Sequence, residues 1–221
     1  TGAKYDSKVF QKSVGLNGVG TKAVNALSEY FKVTTFRDGN EKTAEFKRGE
    51  LLKEHKEVKS SESNGTQVMF IPDESIFRNY HFISDYIDKQ LWNYCYLNAG
   101  LIINYNGRKF MSKNGLLDLL HRNANEDELR YPVIHLKAED IEVALSHNNE
   151  YGEDIYSFVN GQYTTQGGTH VIAFREAFVK TIRDFFKKDY DTSDIRQSIV
   201  AAVAVRVQEP VFESQTKTKL G

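Results

Sequence analysis

The sequence predicts an α+β fold, and three features of the chain support that class. A glycine-rich segment, Gly15–Gly20, leads into apolar residues at helical spacing. Asp38-Gly39-Asn40 and Asn106-Gly107 are hairpin turn signals between runs of strand-forming residues. The last third reads as strand, long helix and strand, with the helix expected at about 170–188 and an apolar strand at 199–205. We therefore expect a mixed chain that ends in a βαβ crossover.

The composition of the chain is that of an ordinary globular protein. The 221 residues are 40% hydrophobic and carry a net charge of −1, which argues against tight non-specific nucleic-acid binding by the chain as a whole. The single cysteine, Cys95, fits a reducing cytoplasm. No apolar run approaches the ~18 residues of a membrane span, so we expect no membrane association. The opening Thr1-Gly2-Ala3 suggests a chain taken from a longer protein.

The first third predicts one helix and an antiparallel sheet. A helix is expected at about 20–30, with its apolar face formed by Ala23, Val24, Leu27, Tyr30 and Phe31. Strands are expected at 31–36, 43–46 and 67–71, and the charged stretch 47–64 as loop with at most a short strand. The composition changes at Pro72, so we expect two domains, 1–71 and 72–221.

The second domain has an alternating order of elements. Helices are expected at 82–97, 116–120 and 170–188, and strands at 101–105, 109–111, 141–145, 155–159 and 199–205. Ile141, Val143 and Leu145 predict a strand buried on one face. In the long helix, the residues expected inward are Ile172, Phe174, Phe178, Ile182 and Phe185. If the last two strands are parallel, their crossover should be right-handed.

The glycine-rich segment is the first candidate site. A glycine loop before a helix offers unpaired N–H groups and the positive end of the helix dipole, which together suit phosphate. The segment is neither a Walker A loop nor G-x-G-x-x-G. Spacing alone fits a tight glycine turn before a helix equally well.

Several ordered motifs resemble one family. Lys4-Tyr5-Asp6, Ser13–Gly20 and Val24–Ser28 are similar to the ATP lid of type IIA topoisomerase ATPase subunits, which are the B subunits of gyrase and of topoisomerase IV. The resemblance continues through Gly65-Thr66, Gly167-Gly168-Thr169-His170 and 215–220, and so covers nearly the whole chain. It implies that residues 1–71 are the C-terminal part of a Bergerat-type ATP-binding domain and that 72–221 form a transducer domain.

The resemblance also implies an ATP site. The lid residues expected to contact the triphosphate are Gly15, Leu16, Asn17, Gly18, Val19, Gly20 and Thr21. Lys4 stands where the family has a phosphate-side lysine, although a solvated lysine is the alternative. Thr66 is expected to hold adenine through water and an upstream carboxylate; strand propensity alone would also explain it. Gln215 and Lys217 are expected to reach the ATP site from the second domain, with Lys217 at the γ-phosphate, although their sequence alone reads as a polar tail.

Two departures from the family pattern bear on that site. Asn17 replaces a common histidine but can still form hydrogen bonds, so phosphate binding is not affected. Phe10 replaces a common tyrosine and cannot donate a hydroxyl hydrogen bond.

His170 is assigned no catalytic role, because the spacing suggests no Ser or Cys partner. The histidines and the cysteine also show no metal-ligand spacing.

The implied function is ATP-driven DNA strand passage. The family uses ATP and Mg²⁺, with a glutamate general base and an asparagine ligand on a helix that would precede this chain, so we expect the fragment alone to be inactive. The implied partners are a DNA duplex, a second copy of the same protein and the DNA-cleaving A subunit. Thr21-Lys22 and Asp194-Ile195-Arg196 favour the topoisomerase IV B subunit over the gyrase B subunit.

A different class of protein stays open at this point. The βαβ unit could be a non-enzymatic nucleic-acid-binding module that uses its sheet or the basic residues of its long helix. Those residues are Arg175, Lys180, Arg183, Lys187 and Lys188.

Overall fold

The computed structural model describes residues 12–15, 17–124 and 126–221. Lys4, Phe10 and Leu16 lie outside these residues. The described residues form two compact units, one of residues 15–82 and one of residues 12–14 and 83–221. Residues 72–82 therefore pack with the first unit, and the domain boundary expected at 71/72 stays a prediction.

The first unit is an antiparallel sheet with one helix. Its elements are α1 (Val19–Ala26), β1 (Ser28–Arg37), β2 (Asn40–Lys47), β3 (Glu50–Glu54), β4 (Val58–Lys59) and β5 (Gly65–Pro72). The strand order is β3-β2-β1-β5, with β4 paired to β2. The predicted hairpin turn joins β1 to β2, and Asp38 and Gly39 both take the positive φ that this turn needs (52° and 76°).

The predicted first helix is too long. It ends at Ala26, and Tyr30 and Phe31 belong to β1. Phe31 stands between Phe46 of β2 and Phe70 of β5 and is 4% exposed. Pairing on both sides of β1 outweighs the helical spacing, because each pairing satisfies backbone groups and buries an aromatic ring.

The second unit contains a five-stranded mixed sheet and a separate hairpin. Its helices are α2 (Ser84–Leu97), α3 (Leu116–Asn123), a 3-10 helix (Glu126–Glu128), α4 (Thr169–Phe186) and α5 (Thr192–Arg196). Its strands are β6 (Ile103–Tyr105), β7 (Arg108–Phe110), β8 (Ile134–Lys137), β9 (Ile141–His147), β10 (Asp154–Val159), β11 (Gln162–Tyr163) and β12 (Ile199–Val205). The sheet order is β11-β10-β12-β9-β8, and β6 pairs with β7. β10 and β12 are parallel, so with α4 between them they form the expected βαβ crossover.

β12 is the centre of the core, with a different cluster on each face. Val200 and Ala202 pack with Leu116, Leu120 and Phe158. Ile199, Ala201 and Val203 pack with Val143 and Leu145, against which Phe174 and Phe178 of α4 are placed. A strand that is covered on both faces needs apolar residues at every position, which explains its continuous apolar run.

Two burial predictions in this unit are wrong. β9 is buried on both faces, since Ala144 joins one core cluster while Val143 and Leu145 join the other. In α4, Ile172 and Phe185 are 52% and 78% exposed, whereas Val171 and Val179 are buried. The buried face of α4 starts with His170 and Val171, before the start that we expected, and this rotates Ile172 and Phe185 toward solvent.

No helix in the described part of the chain is both long and apolar enough to cross a membrane.

Candidate functional site

The glycine segment forms a tight turn that leads into α1. Gly15 and Gly18 have positive φ of 72° and 60°, and the Gly18 N–H donates to the Gly15 carbonyl at 3.1 Å. Gly18 caps the helix without a side-chain hydrogen bond, and no acidic residue lies in the first turn. The helical ladder begins with the Lys22 N–H, which donates to the Gly18 carbonyl at 3.3 Å.

The first three N–H groups of α1 are not used by the described part of the chain. The N–H groups of Val19, Gly20 and Thr21 precede the ladder and find no acceptor among the described residues. A Cβ placed on Gly15 or Gly20 would meet nothing within 4 Å, so packing does not require these glycines. A backbone that is open to close approach at the positive end of a helix fits a phosphate group.

Thr66 lies on β5, away from the junction of α1 and β1. It pairs with Thr35 of β1 near the start of β5, whereas Pro72 at the strand's other end pairs with Ser28, just after α1. Its side chain is exposed, and among the described residues no hydrogen bond joins it to the glycine segment.

An ion pair at the end of β5 was not identified from the sequence. Asp73 is 3% exposed and accepts from Arg48 Nε at 2.5 Å and Nη2 at 3.2 Å. The Ser75 N–H and hydroxyl also donate to it. The Arg48 and Ser75 hydrogen bonds lower the pKa of Asp73 to about 2. The only sequence signal is an acidic residue just after Pro72, and its role here is to hold the chain at the end of the sheet.

Gln215 and Lys217 belong to a short loop in the second unit. Gln215 is exposed and Lys217 is half-buried. The Lys217 N–H donates to the Ser214 carbonyl at 3.0 Å, and Lys217 has a left-handed φ of 56°. Among the described residues Lys217 has no ion-pair partner, whereas Lys219 pairs with Glu213 at 2.7 Å. The loop therefore presents one ammonium that the described part of the chain does not neutralise.

His170 is a buried, uncharged residue near the start of α4. It is 9% exposed, and its Nε2 lies 3.2 Å from the Thr164 hydroxyl, which in turn donates to the Ser157 carbonyl at 2.9 Å. Burial lowers the pKa of His170 to about 4. The Ser157 and Thr164 hydroxyls are buried and bonded to each other at 2.7 Å, which is the geometry of a structural histidine.

A magnesium site is not formed by these residues. Within 12–15, 17–124 and 126–221, no group of three or more His, Cys, Asp or Glu could hold a metal ion. The described residues therefore offer no preformed cage for a metal ion, and a magnesium ion that arrives with ATP would rely on phosphate oxygens for most of its ligands.

The basic residues of α4 are partly neutralised. Arg175 pairs with Glu153 at 2.6 Å, and Arg183 pairs with Asp189 at 3.1 Å while donating to the Tyr190 carbonyl. These contacts reduce the charge available to a nucleic acid and do not favour the βαβ binding module that the sequence left open.

Comparison with known proteins gives a consistent result. The family model described as DNA gyrase B matches residues 104–221, more than half of the chain. The B subunit of DNA topoisomerase 4 from Borreliella burgdorferi is 52% identical over 221 residues, which are 100% of this chain and 37% of that protein. The DNA gyrase B subunit of Helicobacter pylori strain J99 is 34% identical over 242 residues, covering 100% of this chain and 31% of the relative. The chain thus spans about a third of the length of these curated relatives.

Solved structures agree on the fold. The 43K ATPase domain of Thermus thermophilus gyrase B, in complex with an aminocoumarin, superposes with a TM-score of 0.74 at 30% identity, covering 92% of this chain and 61% of that one. The ATPase region of Saccharomyces cerevisiae topoisomerase II gives a TM-score of 0.78 at 24% identity, covering 100% and 59%, and shows the fold alone. Neither the relatives nor the structures support the non-enzymatic binding module.

Proposed function

This chain belongs to the DNA gyrase B family of type IIA topoisomerase B subunits, and from that premise we propose that it is the part of such a protein that links ATP binding to DNA strand passage. Its similarity to a topoisomerase 4 B subunit, at 52% identity against 34% for a gyrase B subunit, favours topoisomerase IV. We place the protein in the cytoplasm, with a DNA duplex, a second copy of the same protein and a DNA-cleaving A subunit as its partners.

The observation that carries the proposal is the open N-terminus of α1. The N–H groups of Val19, Gly20 and Thr21, which have no acceptor among the described residues, would bind the phosphate oxygens of ATP. Gly15 and Gly18 supply the positive-φ turn that brings this backbone to the phosphates. Lys4, Leu16 and Asn17 are proposed to complete the phosphate site, and Thr66 to contact adenine through water.

Lys217 is proposed to act on the γ-phosphate, with Gln215 beside it. When bound, ATP with its magnesium ion supplies the phosphoryl group that is transferred to water. The ammonium of Lys217 would stabilise the charge that develops on the phosphoryl oxygens, because a preorganised cation needs no reorganisation at the moment of reaction. The general base is expected from a glutamate outside these 221 residues.

The same contact would serve as a switch. Lys217 would touch a group that is present before hydrolysis and absent after it. A ligand shifts a conformational equilibrium only through such differential contacts. The lysine would thus report the state of the nucleotide to the second unit, to which the loop belongs.

The test is Lys217→Ala in the full-length protein, assayed with its A subunit and DNA. We expect kcat for ATP hydrolysis to fall by about 10²-fold, comparable to the removal of one preorganised donor. Lys217→Arg should restore activity only partly, because a planar guanidinium does not replace a compact ammonium. The matched control is Lys219→Ala, which removes a cation two residues away that is already paired with Glu213. Normal turnover in Lys217→Ala would refute the role of this lysine.

A further inference from the structure

We propose that Gly168 is a positioning residue: it docks the loop that carries Lys217 onto the start of α4, and so places the ammonium. The proposal rests on the proposed function for the importance of Lys217. The docking itself is argued from backbone contacts within the second unit. From the sequence alone, Gly167-Gly168-Thr169 reads only as a loop with Thr169 as the helix N-cap, whereas in the structure Gly168 holds the N-cap position.

The loop is a small hairpin, which we call the C-terminal hairpin (Val211–Gly221). Its two limbs are joined by a bridge between Phe212 and Leu220. The Glu213 N–H donates to the Lys219 carbonyl at 3.1 Å, and the Gly221 N–H donates to the Val211 carbonyl at 2.9 Å. These bonds make the hairpin rigid within itself, but they do not fix its place on the domain.

A second set of hydrogen bonds docks the hairpin to the segment before α4. The Gln166 N–H donates to the Thr218 carbonyl at 2.9 Å, and the Leu220 N–H donates to the Gly167 carbonyl at 3.1 Å. The Leu220 carbonyl accepts from the Thr169 N–H at 3.3 Å, and Gly168 and Leu220 form a parallel bridge. Leu220 is 8% exposed, so this limb is buried where it pairs. Lys217 directly precedes the docked limb.

Only glycine permits this approach at position 168. A Cβ on Gly168 would stand 2.3 Å from the Leu220 carbonyl oxygen, 2.6 Å from its nitrogen and 2.8 Å from its Cα. All three are backbone atoms and cannot rotate away. Gly168 also has φ 136° and ψ −166°, a conformation that is essentially restricted to glycine.

Gly168 cannot relieve such a clash by moving itself. Its carbonyl accepts from the Val171 and Ile172 N–H groups at 3.1 and 3.2 Å, which starts α4. Val171 is buried, and Phe174 packs on the β12 cluster, so α4 is held in the core. The hairpin is therefore the part that must move if position 168 gains a side chain, and Lys217 would move with it.

The first measurement needs no nucleotide. In the full-length protein, hydrogen exchange followed by mass spectrometry on a peptide within residues 211–221 reports whether the hairpin is docked. Gly168→Ala should speed exchange of the Leu220 amide in this peptide by about 10-fold or more, because it removes the hydrogen bond from the Leu220 N–H to the Gly167 carbonyl. Peptides from β12 should exchange as before. The matched control is Gly152→Ala: Gly152 also has a positive φ (97°), but a Cβ there meets nothing within 4 Å.

The second measurement is steady-state ATP hydrolysis. Gly168→Ala should lower kcat by about 10-fold or more while KM changes little, since a displacement of about 1 Å from the reacting group can cost 10²-fold. In a Lys217→Ala background the same change should cause little further loss, because the displaced group is already absent. If the loss of kcat in the double variant equals the product of the two single-variant losses, the positioning role of Gly168 is overturned.

Thr169 provides a milder variant if Gly168→Ala does not fold. Its hydroxyl donates to the Gly221 carbonyl at 2.8 Å. Thr169→Val should speed exchange of the hairpin peptide by about 3-fold, and Thr169→Ser should restore the original rate. Unchanged exchange in Thr169→Val and in a folded Gly168→Ala would overturn the docking.

The outcomes separate this proposal from the proposed function. Faster exchange in Gly168→Ala with normal kcat, alongside a defective Lys217→Ala, would refute positioning and leave the role of Lys217 intact. Normal kcat in Lys217→Ala would refute that role and, with it, the catalytic consequence of docking. The exchange measurement would still decide whether Gly168 docks the hairpin.

Discussion

His170 should make the second unit less stable in acid, and the size of the effect follows from its surroundings. The imidazole is 9% exposed and occupies the second position of α4, where the helix dipole also disfavours a positive charge. With Nε2 bonded to the Thr164 hydroxyl, a second proton would enter at Nδ1, which has no partner among the described residues. Burial accordingly lowers the pKa of His170 from 6.5 to about 4.

The sign of the effect comes from proton binding in each state. Between pH 6.5 and 4 the unfolded chain binds a proton at His170 and the folded chain does not, so stability falls as the pH falls through this window. At about 1.4 kcal/mol per pKa unit, the loss at pH 4 relative to pH 7 is at most roughly 3 kcal/mol.

The assay is urea denaturation from pH 4 to 7.5, comparing the unchanged protein with His170→Gln. The glutamine amide can donate to Thr164 but does not titrate. All other ionisable groups are common to both proteins, so the difference between the two curves isolates His170. We expect the two free energies of unfolding to converge as the pH falls, because only the histidine protein loses this contribution. Parallel curves would refute the reasoning.

Two further predictions concern the chain alone and its first unit. The 221 residues by themselves should neither hydrolyse ATP nor bind it tightly, because the expected base, magnesium ligand and adenine carboxylate lie outside them; magnesium-dependent phosphate release by the purified chain would contradict this. Asp73→Asn should lower the free energy of unfolding at pH 6. The deficit should shrink as the pH falls from 3.8 toward 2, since the lowered pKa of Asp73 makes its ion pair stabilising above that range. A deficit that stays constant down to pH 2 would exclude the ion pair as its cause.

The elements of this protein that could be predicted from sequence are those with local signals. The apolar run 199–205 became β12 with the same bounds, and Asn106-Gly107 became the turn between β6 and β7. The Asp38-Gly39-Asn40 turn and the long helix also followed from patterns within a few residues of one another. Such patterns suffice because turn chemistry and side-chain periodicity act locally.

The site was predicted in a different way. The residue types and spacing of 15–20 fitted a phosphate-binding loop and a plain turn before a helix equally well. Without the family resemblance, Lys217 read as part of a polar tail. The family resemblance supplied the interpretation, and the matches at 52% and 34% identity confirmed the family. The roles of these individual residues stay predictions.

Tertiary structure alone decided what depends on distant partners. Phe31 left the predicted helix because two strands pair with it, and β9 lost its solvent face because a core cluster covers each side. The need for glycine at 168 comes from Leu220, and the largest cause of the low pKa of Asp73 is Arg48, 25 positions away. A sequence records which side chains are available, but the free energy of a close approach or an ion pair exists only once folding brings the two groups into contact.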